Sequence, residues 1–190
     1  MRAHIRMPIY RVIKASPLRL EFGCGPRLER GFTGVDIRFF EGVKFICNAW
    51  EIIHYVREES VREIRSRHFL EHLTYSQSEI VLKHWSKILK PGGNVHVIVP
   101  DIDYHLDQFR LQPDSPAEFD SNYSNRQHAI AGFYGWQREG LTKVWDVHKS
   151  GYNFEIISNY LAAAGFTNIV RISDKPWNLN VTATKNCMRI

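Results

Sequence analysis

The chain has 190 residues, of which 44% are hydrophobic and 24% charged, a balance typical of a single globular domain. No run approaches the roughly 18 uninterrupted apolar residues of a membrane-spanning helix, so the sequence predicts no membrane span. The three cysteines stand at no metal-like spacing, which argues against a disulfide framework and favours a reducing compartment, with the cytoplasm as the default location.

Positive charge is concentrated at the N-terminus. The formal net charge is +5, and the first 19 residues contain five Arg or Lys and no Asp or Glu. We therefore expect residues 1–17 to form a basic arm, which could contact the phosphates of RNA, of a nucleotide sugar or of a lipid head group. A solvated charged segment and an organelle transit peptide are the alternatives, and charge alone does not choose among them.

After this arm, predicted strands alternate with predicted helices, which favours a parallel sheet covered on both faces. Apolar runs predict strands at 18–22, 33–37, 44–47, 95–99, 169–172 and 179–184, the last two as an antiparallel pair at the sheet edge. Ser76 and Glu79 have the spacing of a capping box. The stripe that follows at helical spacing comprises Ile80, Val81, His84, Trp85, Ile88 and Leu89. Together they predict one amphipathic helix, ended by residues 91–93.

Residues 101–150 differ from the rest of the chain. They are polar and rich in aromatic residues and histidine, and Pro113 and Pro116 would interrupt a long helix. An insertion of this size in a compact domain is more often functional than slack chain, so we interpret residues 101–150 as a cap. We expect one domain over residues 18–184, followed by a tail at 185–190.

Two features near the first strands predict a nucleoside site. Gly23 and Gly25 directly follow the first strand, where a backbone without side chains allows a ligand to approach closely. Asp36 ends the next strand, where an acid can accept hydrogen bonds from both hydroxyls of a ribose. A dinucleotide fingerprint would need glycine at Leu28 and an acid about 20 residues on, so one nucleoside with a non-phosphate tail fits better.

Five motifs resemble, in order and spacing, those of class I S-adenosylmethionine (SAM)-dependent methyltransferases, and above all their small bacterial branch with a very short first helix. The motifs are EFGCG at 21–25, GVDI at 34–37, HFLEHL at 68–73, LKPGG at 89–93 and VPD at 99–101. The resemblance implies an α/β, Rossmann-like fold with a mostly parallel seven-stranded sheet, an antiparallel edge hairpin and helices on both faces. It also assigns a fourth strand to residues 61–66, although they are more charged than a central strand usually is.

The resemblance further implies SAM as cofactor, with S-adenosylhomocysteine as product. The matching cofactor positions are Glu21, Phe22, Gly23, Cys24, Gly25, Asp36, Ile37, Asn48, Ala49, His68 and Phe69. Residues 21–25 would line the methionine end, Asp36 would hold the ribose and Ile37 would pack on the adenine. Asn48 stands where an aspartate is more usual, and an amide can still contact an exocyclic amine.

Three residues are candidates for catalysis. A hydroxyl acceptor gains from a base that takes its proton, and histidine is suited to this at neutral pH. His72 follows the fourth strand, close to where the resemblance places the methyl group, and His148 precedes the last helix and would reach back over the site. Asp101 directly follows the fifth strand, where acceptor contacts emerge in this architecture. Backbone hydrogen bonding and turn formation are the structural alternatives.

Aromatic residues of the cap are candidates for binding the acceptor. Tyr104, Trp136 and Trp145 could stack on the apolar face of a sugar or a base, although such residues also form small satellite cores. We expect a methyltransferase acting on a small-molecule or saccharide acceptor, at a hydroxyl. An RNA methyltransferase that uses the basic arm and a non-catalytic SAM-binding or partner-binding module are the alternatives. The sequence does not predict an oligomeric state.

His68, Glu71 and His72 also fit metal-binding patterns. H-x-x-E-H is the motif of inverted zinc peptidases, with Glu139 as a distant third ligand. The segment also resembles E-x-x-E-H of metal-assisted small-RNA 2′-O-methyltransferases, which add a distant histidine, with His68 here in place of the first glutamate. Because a strand is predicted to end at His68, the histidines need not share a helix face. We therefore expect no metal and leave the metal-assisted alternative open.

Overall fold

The computed structural model describes residues 18–138, 145–173 and 175–187. The strands of the central sheet are β1 (Leu18–Phe22), β2 (Thr33–Asp36), β3 (Val43–Ile46), β4 (Val61–Arg67) and β5 (Leu89–Pro100). Two more strands form a hairpin, β6 (Pro116–Ala117) and β7 (Asp120–Ser124), and the central sheet is completed by β8 (Phe166–Ile172) and β9 (Asn178–Lys185). The helices are α1 (Tyr75–Ile88), α2 (Ile102–Leu111), α3 (Asn125–Tyr134) and α4 (Phe154–Ala163).

The seven-stranded sheet has the order β3-β2-β1-β4-β5-β9-β8. Strands β1 to β5 pair in parallel, and β9 is antiparallel to both β5 and β8. This confirms the predicted mostly parallel sheet with an antiparallel hairpin at its edge. The helices lie around the sheet, and none of those in the described part of the chain is both long and apolar enough to cross a membrane. The N-terminal arm (1–17) and residues 188–190 of the tail lie outside the described residues.

Strand β4 is central despite its charge, and two of its charged side chains have partners in other segments. Glu63 accepts a hydrogen bond from Arg19 of β1 at 2.8 Å, and Arg65 forms ion pairs with Glu21 and Glu29. Val61, Ile64 and Ser66 are buried. The ion pairs to the neighbouring strand explain why the hydrophobic pattern alone could not identify β4.

The N-terminus of α1 corrects the predicted capping box. Thr74, rather than Ser76, is the N-cap: its hydroxyl accepts the amide hydrogen of Gln77 at 3.3 Å, and the Gln77 side chain accepts that of Thr74 at 2.9 Å. Two overlapping boxes have the same spacing, and the earlier one leaves Glu79 free to pair with Lys83 on the helix surface. The helix therefore begins two residues earlier than predicted.

The predicted stripe of α1 is buried except for Ile80, whose exposed fraction is 47%, and His84, which is half-buried. Trp85 is fully buried, and its ring centroid lies 4.9 Å from that of Phe22 and 6.4 Å from that of Phe69. Strand β5 then starts at Leu89, and its register with β4 shifts across residues 90–93. The rings of Phe22, Phe69 and Trp85 connect the core to the loops that follow β1 and β4.

The cap contains α2, the β6–β7 hairpin and α3, packed on an aromatic cluster. His128 is stacked on Phe119 with ring centroids 4.2 Å apart, and its ring lies 4.8 Å from that of His105. Burial lowers the pKa of both histidines to about 4, so both are neutral at neutral pH. His105 and His128 therefore contribute to the packing of the cap.

Replacing Trp85 by alanine should lower the free energy of unfolding by about 3–5 kcal/mol, because it leaves a cavity between Phe22 and Phe69. Ile80→Ala is the matched control on the same helix and should cost less than about 1 kcal/mol. Urea unfolding followed by circular dichroism measures both changes, and equal losses would contradict this packing.

Stability should fall as the pH drops from about 6.5 towards 4, because the unfolded chain protonates His105 and His128 there and the folded chain does not. Each histidine contributes at most about 1.4 kcal/mol per pH unit. Urea unfolding at pH 7.5 and 5.0 should show a smaller loss in His128→Gln than in the wild type. His54→Gln, at an exposed position, should behave like the wild type. An undiminished loss in His128→Gln would contradict the neutral buried histidine.

Candidate active site

A cleft of about 290 Å³ opens at the carboxyl ends of β1 to β4. Gly23 follows β1, Asp36 ends β2, Asn48 follows β3 and His68 follows β4, and all four line the cleft. Parallel strands end on the same side of a sheet, so their following loops meet there. Ligand sites of open α/β sheets form at this edge.

The loop after β1 requires glycine at position 23 for both conformation and space. Its φ is +61°, and its amide donates to the Val35 carbonyl at 2.9 Å. A Cβ there would lie 2.4 Å from Cδ2 of Phe69. Gly25 also has a positive φ, +53°, but an added Cβ would meet no described atom within 4 Å. Close packing therefore explains the first glycine, and backbone conformation the second.

Asp36 connects two of these loops. It is 7% exposed; its Oδ2 accepts the Gly25 amide hydrogen at 3.0 Å, and its Oδ1 accepts that of Arg38 at 2.9 Å. A carboxylate oxygen has a second lone pair, so each can still accept a hydroxyl hydrogen from a ligand. Ile37, 47% exposed, lines the cleft beside it. The arrangement suits a ribose next to a flat apolar group.

Asn48 begins the 3₁₀ helix Ala49–His54. Its side-chain amide donates to Oε2 of Glu51 at 3.1 Å, and its main-chain amide donates to the same oxygen at 2.9 Å. The Asn48 amide group is therefore held in place by the protein itself. Ala49 and Trp50 line the cleft next to it.

Seven of the eleven predicted cofactor positions line the cleft: Gly23, Asp36, Ile37, Asn48, Ala49, His68 and Phe69. The other four do not line the cleft; they belong to the end of β1 and to the loop that follows it. Glu21 is buried and accepts the Glu29 amide hydrogen at 2.6 Å, and Phe22 packs on Trp85. Cys24 is buried, and burial, together with the charges of Asp36 and Glu21, raises the pKa of its thiol to about 11. The Gly25 amide holds the Asp36 carboxylate.

Two histidines line another part of the cleft, and a third histidine and a buried acid lie next to them. His68 and His72 line it, and the ring of His148 lies 5.1 Å from that of His72. Glu71 is 1% exposed, and its Oε1 lies 3.3 Å from Nδ1 of His68. One ligand atom from each of Glu71, His72 and His148 lies within 4.8 Å of the others. The structure thus brings together the two histidines that the sequence nominated as bases.

Main-chain contacts fix this cluster. The amides of Lys149 and Ser150 donate to the Glu71 carbonyl at 2.7 and 3.2 Å, which holds the segment of His148 beside the 3₁₀ helix Leu70–His72. His68 has φ +50°, a strained conformation for a residue with a side chain, and its amide donates to the Ile98 carbonyl at 2.8 Å. Strain of this kind is typical of functional sites.

The charges of the cluster favour an ionised acid. Burial alone would raise the pKa of the Glu71 carboxyl, but the hydrogen bond and charge of His68, with the charges of His72 and His148, outweigh it and lower that pKa. Burial lowers the pKa of His148, although the charge of Glu71 opposes this. A buried carboxylate therefore lies among imidazoles next to the cleft.

Asp101 lies apart from the cleft. Its Oδ1 accepts the Asp103 amide hydrogen as the N-cap of α2, and its Oδ2 accepts a hydrogen bond from Arg171 at 2.6 Å. Trp136 packs in the cap against Tyr123 and Arg138, and Tyr104 stands edge-on to His105.

Of the predicted acceptor residues, Trp145 lines the cleft. Its ring is 45% exposed, and the Arg38 guanidinium lies 5.6 Å from its centroid. Glu139 of the peptidase alternative lies outside the described residues.

Seven further cleft residues were not predicted from the sequence: Val35, Arg38, Cys47, Trp50, Leu73, Gln77 and Lys149. The first five are direct neighbours of predicted positions, so adjacency could have found them. Gln77 lies in the first turn of α1, where the sequence pattern gave no sign of a site. Lys149 follows His148, and its position depends on the contact with Glu71 described above.

The known structures similar to this chain include several SAM-dependent methyltransferases. A SAM-dependent methyltransferase from Archaeoglobus fulgidus aligns over 90% of this chain and 87% of its own, with TM-score 0.58 and 17% identity. A SAM-dependent methyltransferase from Thermotoga maritima, described as a possible histamine N-methyltransferase, aligns over 90% and 83%, with TM-score 0.59 and 15% identity.

A third similar structure holds ligands. It is the 1,6-didemethyltoxoflavin-N1-methyltransferase of Burkholderia thailandensis with bound 1,6-didemethyltoxoflavin and S-adenosylhomocysteine. It aligns over 89% of this chain and 71% of its own, with TM-score 0.55 and 15% identity. No protein-family model and no curated protein matches the chain. The strand order and these neighbours together confirm the fold predicted from the sequence: the chain has the Rossmann-like fold of the class I SAM-dependent methyltransferases.

Proposed function

We propose that this protein is a SAM-dependent methyltransferase with a small-molecule acceptor. The observation that carries the proposal is the placement of Gly23 and Asp36 on one cleft at the carboxyl edge of this sheet. Asp36 is positioned to accept the ribose hydroxyls of SAM, with the adenine between Ile37 and Ala49. The methionine end would then extend past Gly23 towards His68 and Phe69.

The reaction needs little covalent chemistry from the protein. An acceptor atom attacks the methyl carbon of SAM, the carbon–sulfur bond breaks, and its electron pair stays on sulfur, giving neutral S-adenosylhomocysteine. The cleft contributes mainly by holding acceptor and methyl group in line. Asp36 would bind the nucleoside of SAM. The cluster of Glu71, His72 and His148 would lie next to the acceptor.

We propose a hydroxyl as the methylated group, because two imidazoles, those of His72 and His148, lie next to each other at the proposed acceptor end. Nδ1 of His72 lies 3.1 Å from the Val147 carbonyl, and a carbonyl only accepts, so Nδ1 donates and Nε2 is the nitrogen left for a ligand. A hydroxyl acceptor needs such basic groups more than an amine does. The exposed ring of Trp145 at the cleft would suit the apolar face of a saccharide. The arm on which the RNA alternative depends lies outside the described residues, so that alternative stays a prediction.

Asp36→Ala should weaken binding of S-adenosylhomocysteine at least about tenfold, because the ribose hydroxyls lose a charged acceptor. Asp36→Asn keeps one acceptor oxygen and should lose less. Asp107→Ala, at an exposed position of α2, is the control and should bind like the wild type. Isothermal titration calorimetry measures affinity, and thermal melting shows that each variant is folded. Unchanged affinity in folded Asp36→Ala would contradict the site.

Incubation with methyl-labelled SAM and a panel of hydroxyl-bearing small molecules, saccharides, nucleotide sugars and RNA tests the reaction. We expect label in a small hydroxyl compound or saccharide. Label in RNA alone would overturn the acceptor class and favour the alternative. Tight SAM binding with no transfer to any acceptor would favour a non-catalytic binding module.

A further inference from the structure

Glu71 is a buried carboxylate with an unsatisfied oxygen. Its side chain is 1% exposed, and Oε1 contacts Nδ1 of His68 at 3.3 Å. The other oxygen, Oε2, has no hydrogen-bond partner among the described residues. A buried charge without partners costs several kcal/mol, so proteins rarely leave one unless another group binds there.

The neighbouring histidines do not supply that partner as hydrogen-bond donors. Nδ1 of His72 lies 3.1 Å from the Val147 carbonyl, and Nδ1 of His148 lies 2.8 Å from the Gly132 carbonyl. Both Nδ1 atoms must therefore donate, which leaves Nε2 as the nitrogen of each ring that can bind a ligand. Two Nε2 atoms and the unpartnered oxygen of Glu71 are the groups available to bind a cation.

A histidine that binds metal through one ring nitrogen usually donates a hydrogen bond from the other, often to a main-chain carbonyl. The ligand atoms of Glu71, His72 and His148 lie within 4.8 Å of one another. An ion with bonds of about 2.1 Å holds its ligand atoms roughly 3 to 3.5 Å apart, so small side-chain rotations would close the site. His68 would keep Glu71 oriented through Oε1.

We propose that Glu71, His72 and His148 bind a divalent transition-metal ion. Two imidazoles and one carboxylate suit Zn²⁺, Fe²⁺, Co²⁺ or Mn²⁺, and three protein ligands leave coordination positions open. This departs from the expectation of a metal-free site. The three residues come from two segments that are joined by the hydrogen bonds from the 149 and 150 amides to the Glu71 carbonyl, so the site forms only in the folded chain.

The inference deepens the proposed function, on which the role of the ion rests. His72 lines the cleft, so an ion on this residue meets an acceptor bound there. An ion there would make a hydroxyl bound to it lose its proton to solvent more readily as the oxygen attacks the methyl carbon of SAM. The carbon–oxygen bond would form, the carbon–sulfur bond would break, and the electron pair of that bond would stay on sulfur. His72 then acts as a ligand, and the ion supplies the activation of the hydroxyl.

The test uses the full chain, stripped with a chelator and titrated with Zn²⁺ and, separately, with Co²⁺. We expect one high-affinity ion per chain, a Co²⁺ absorption spectrum of low coordination number and a higher melting temperature in the presence of Zn²⁺. Glu71→Gln and His148→Gln should each weaken the affinity about 100-fold and abolish the melting shift. His54→Gln, an exposed histidine, is the control and should keep both.

Because Glu71 is buried, Glu71→Gln could fail to fold, and His148→Gln, checked by circular dichroism, then carries the test. Affinity equal to wild type in folded His148→Gln would show adventitious binding elsewhere and overturn the site, as would no binding by the wild type. Binding of S-adenosylhomocysteine to the metal-free chain is measured in parallel. If it persists without a metal site, only this inference fails; if a metal binds and S-adenosylhomocysteine does not, the proposed function fails instead.

Discussion

The parallel pairing of β1 with β2 on one side and β4 on the other is the constraint on which the candidate site depends. The register places Phe22 opposite Val35 and opposite Ser66, so all three strands end at nearly the same level. Gly23, Asp36 and His68 follow within two residues of that level. A shift in register would separate the carboxylate from the glycine loop, whose amide it accepts at 3.0 Å.

The two parts of the proposed site differ in their chemistry. Where we propose the nucleoside, Asp36 is held by main-chain amides and keeps lone pairs for a ligand. Where we propose the acceptor, Glu71 lies near the imidazoles of His72 and His148, whose Nδ1 atoms are bound to carbonyls. The first part depends on contacts between residues close in sequence. The second depends on a contact between segments about 75 residues apart, through which the cap contributes to the site.

This difference explains how much could be predicted from the sequence. Most strands of the central sheet depend on local patterns and were predicted, as was the class of fold. The glycine–aspartate pair lies on the cleft, and its role in binding a cofactor stays a prediction. Strand β4 was recognisable only by resemblance, because Glu63 and Arg65 pair with Arg19, Glu21 and Glu29 from other segments. The cap of α1 was misplaced because two overlapping boxes have the same spacing. The unsatisfied oxygen of Glu71 has no local signal, since spacing shows neither burial nor the approach of His148.

Asp101 is another residue whose contacts could not be predicted from the local sequence. Its place after a central strand favoured a role at the acceptor, but Arg171, which follows it by 70 residues, pairs with its carboxylate at 2.6 Å. The aromatic cap behaves similarly, since Trp136 packs internally and Trp145 reaches the cleft. Composition identified these aromatic residues as a group. Only the tertiary structure shows which of them packs internally and which lines the cleft.

The most direct measurement of the central claim is a crystal structure of the protein with S-adenosylhomocysteine. We expect both ribose hydroxyls within about 2.6–3.2 Å of the Asp36 carboxylate, with the sulfur on the His68 side of Gly23. A ligand bound elsewhere, or a ribose turned away from Asp36, would contradict it.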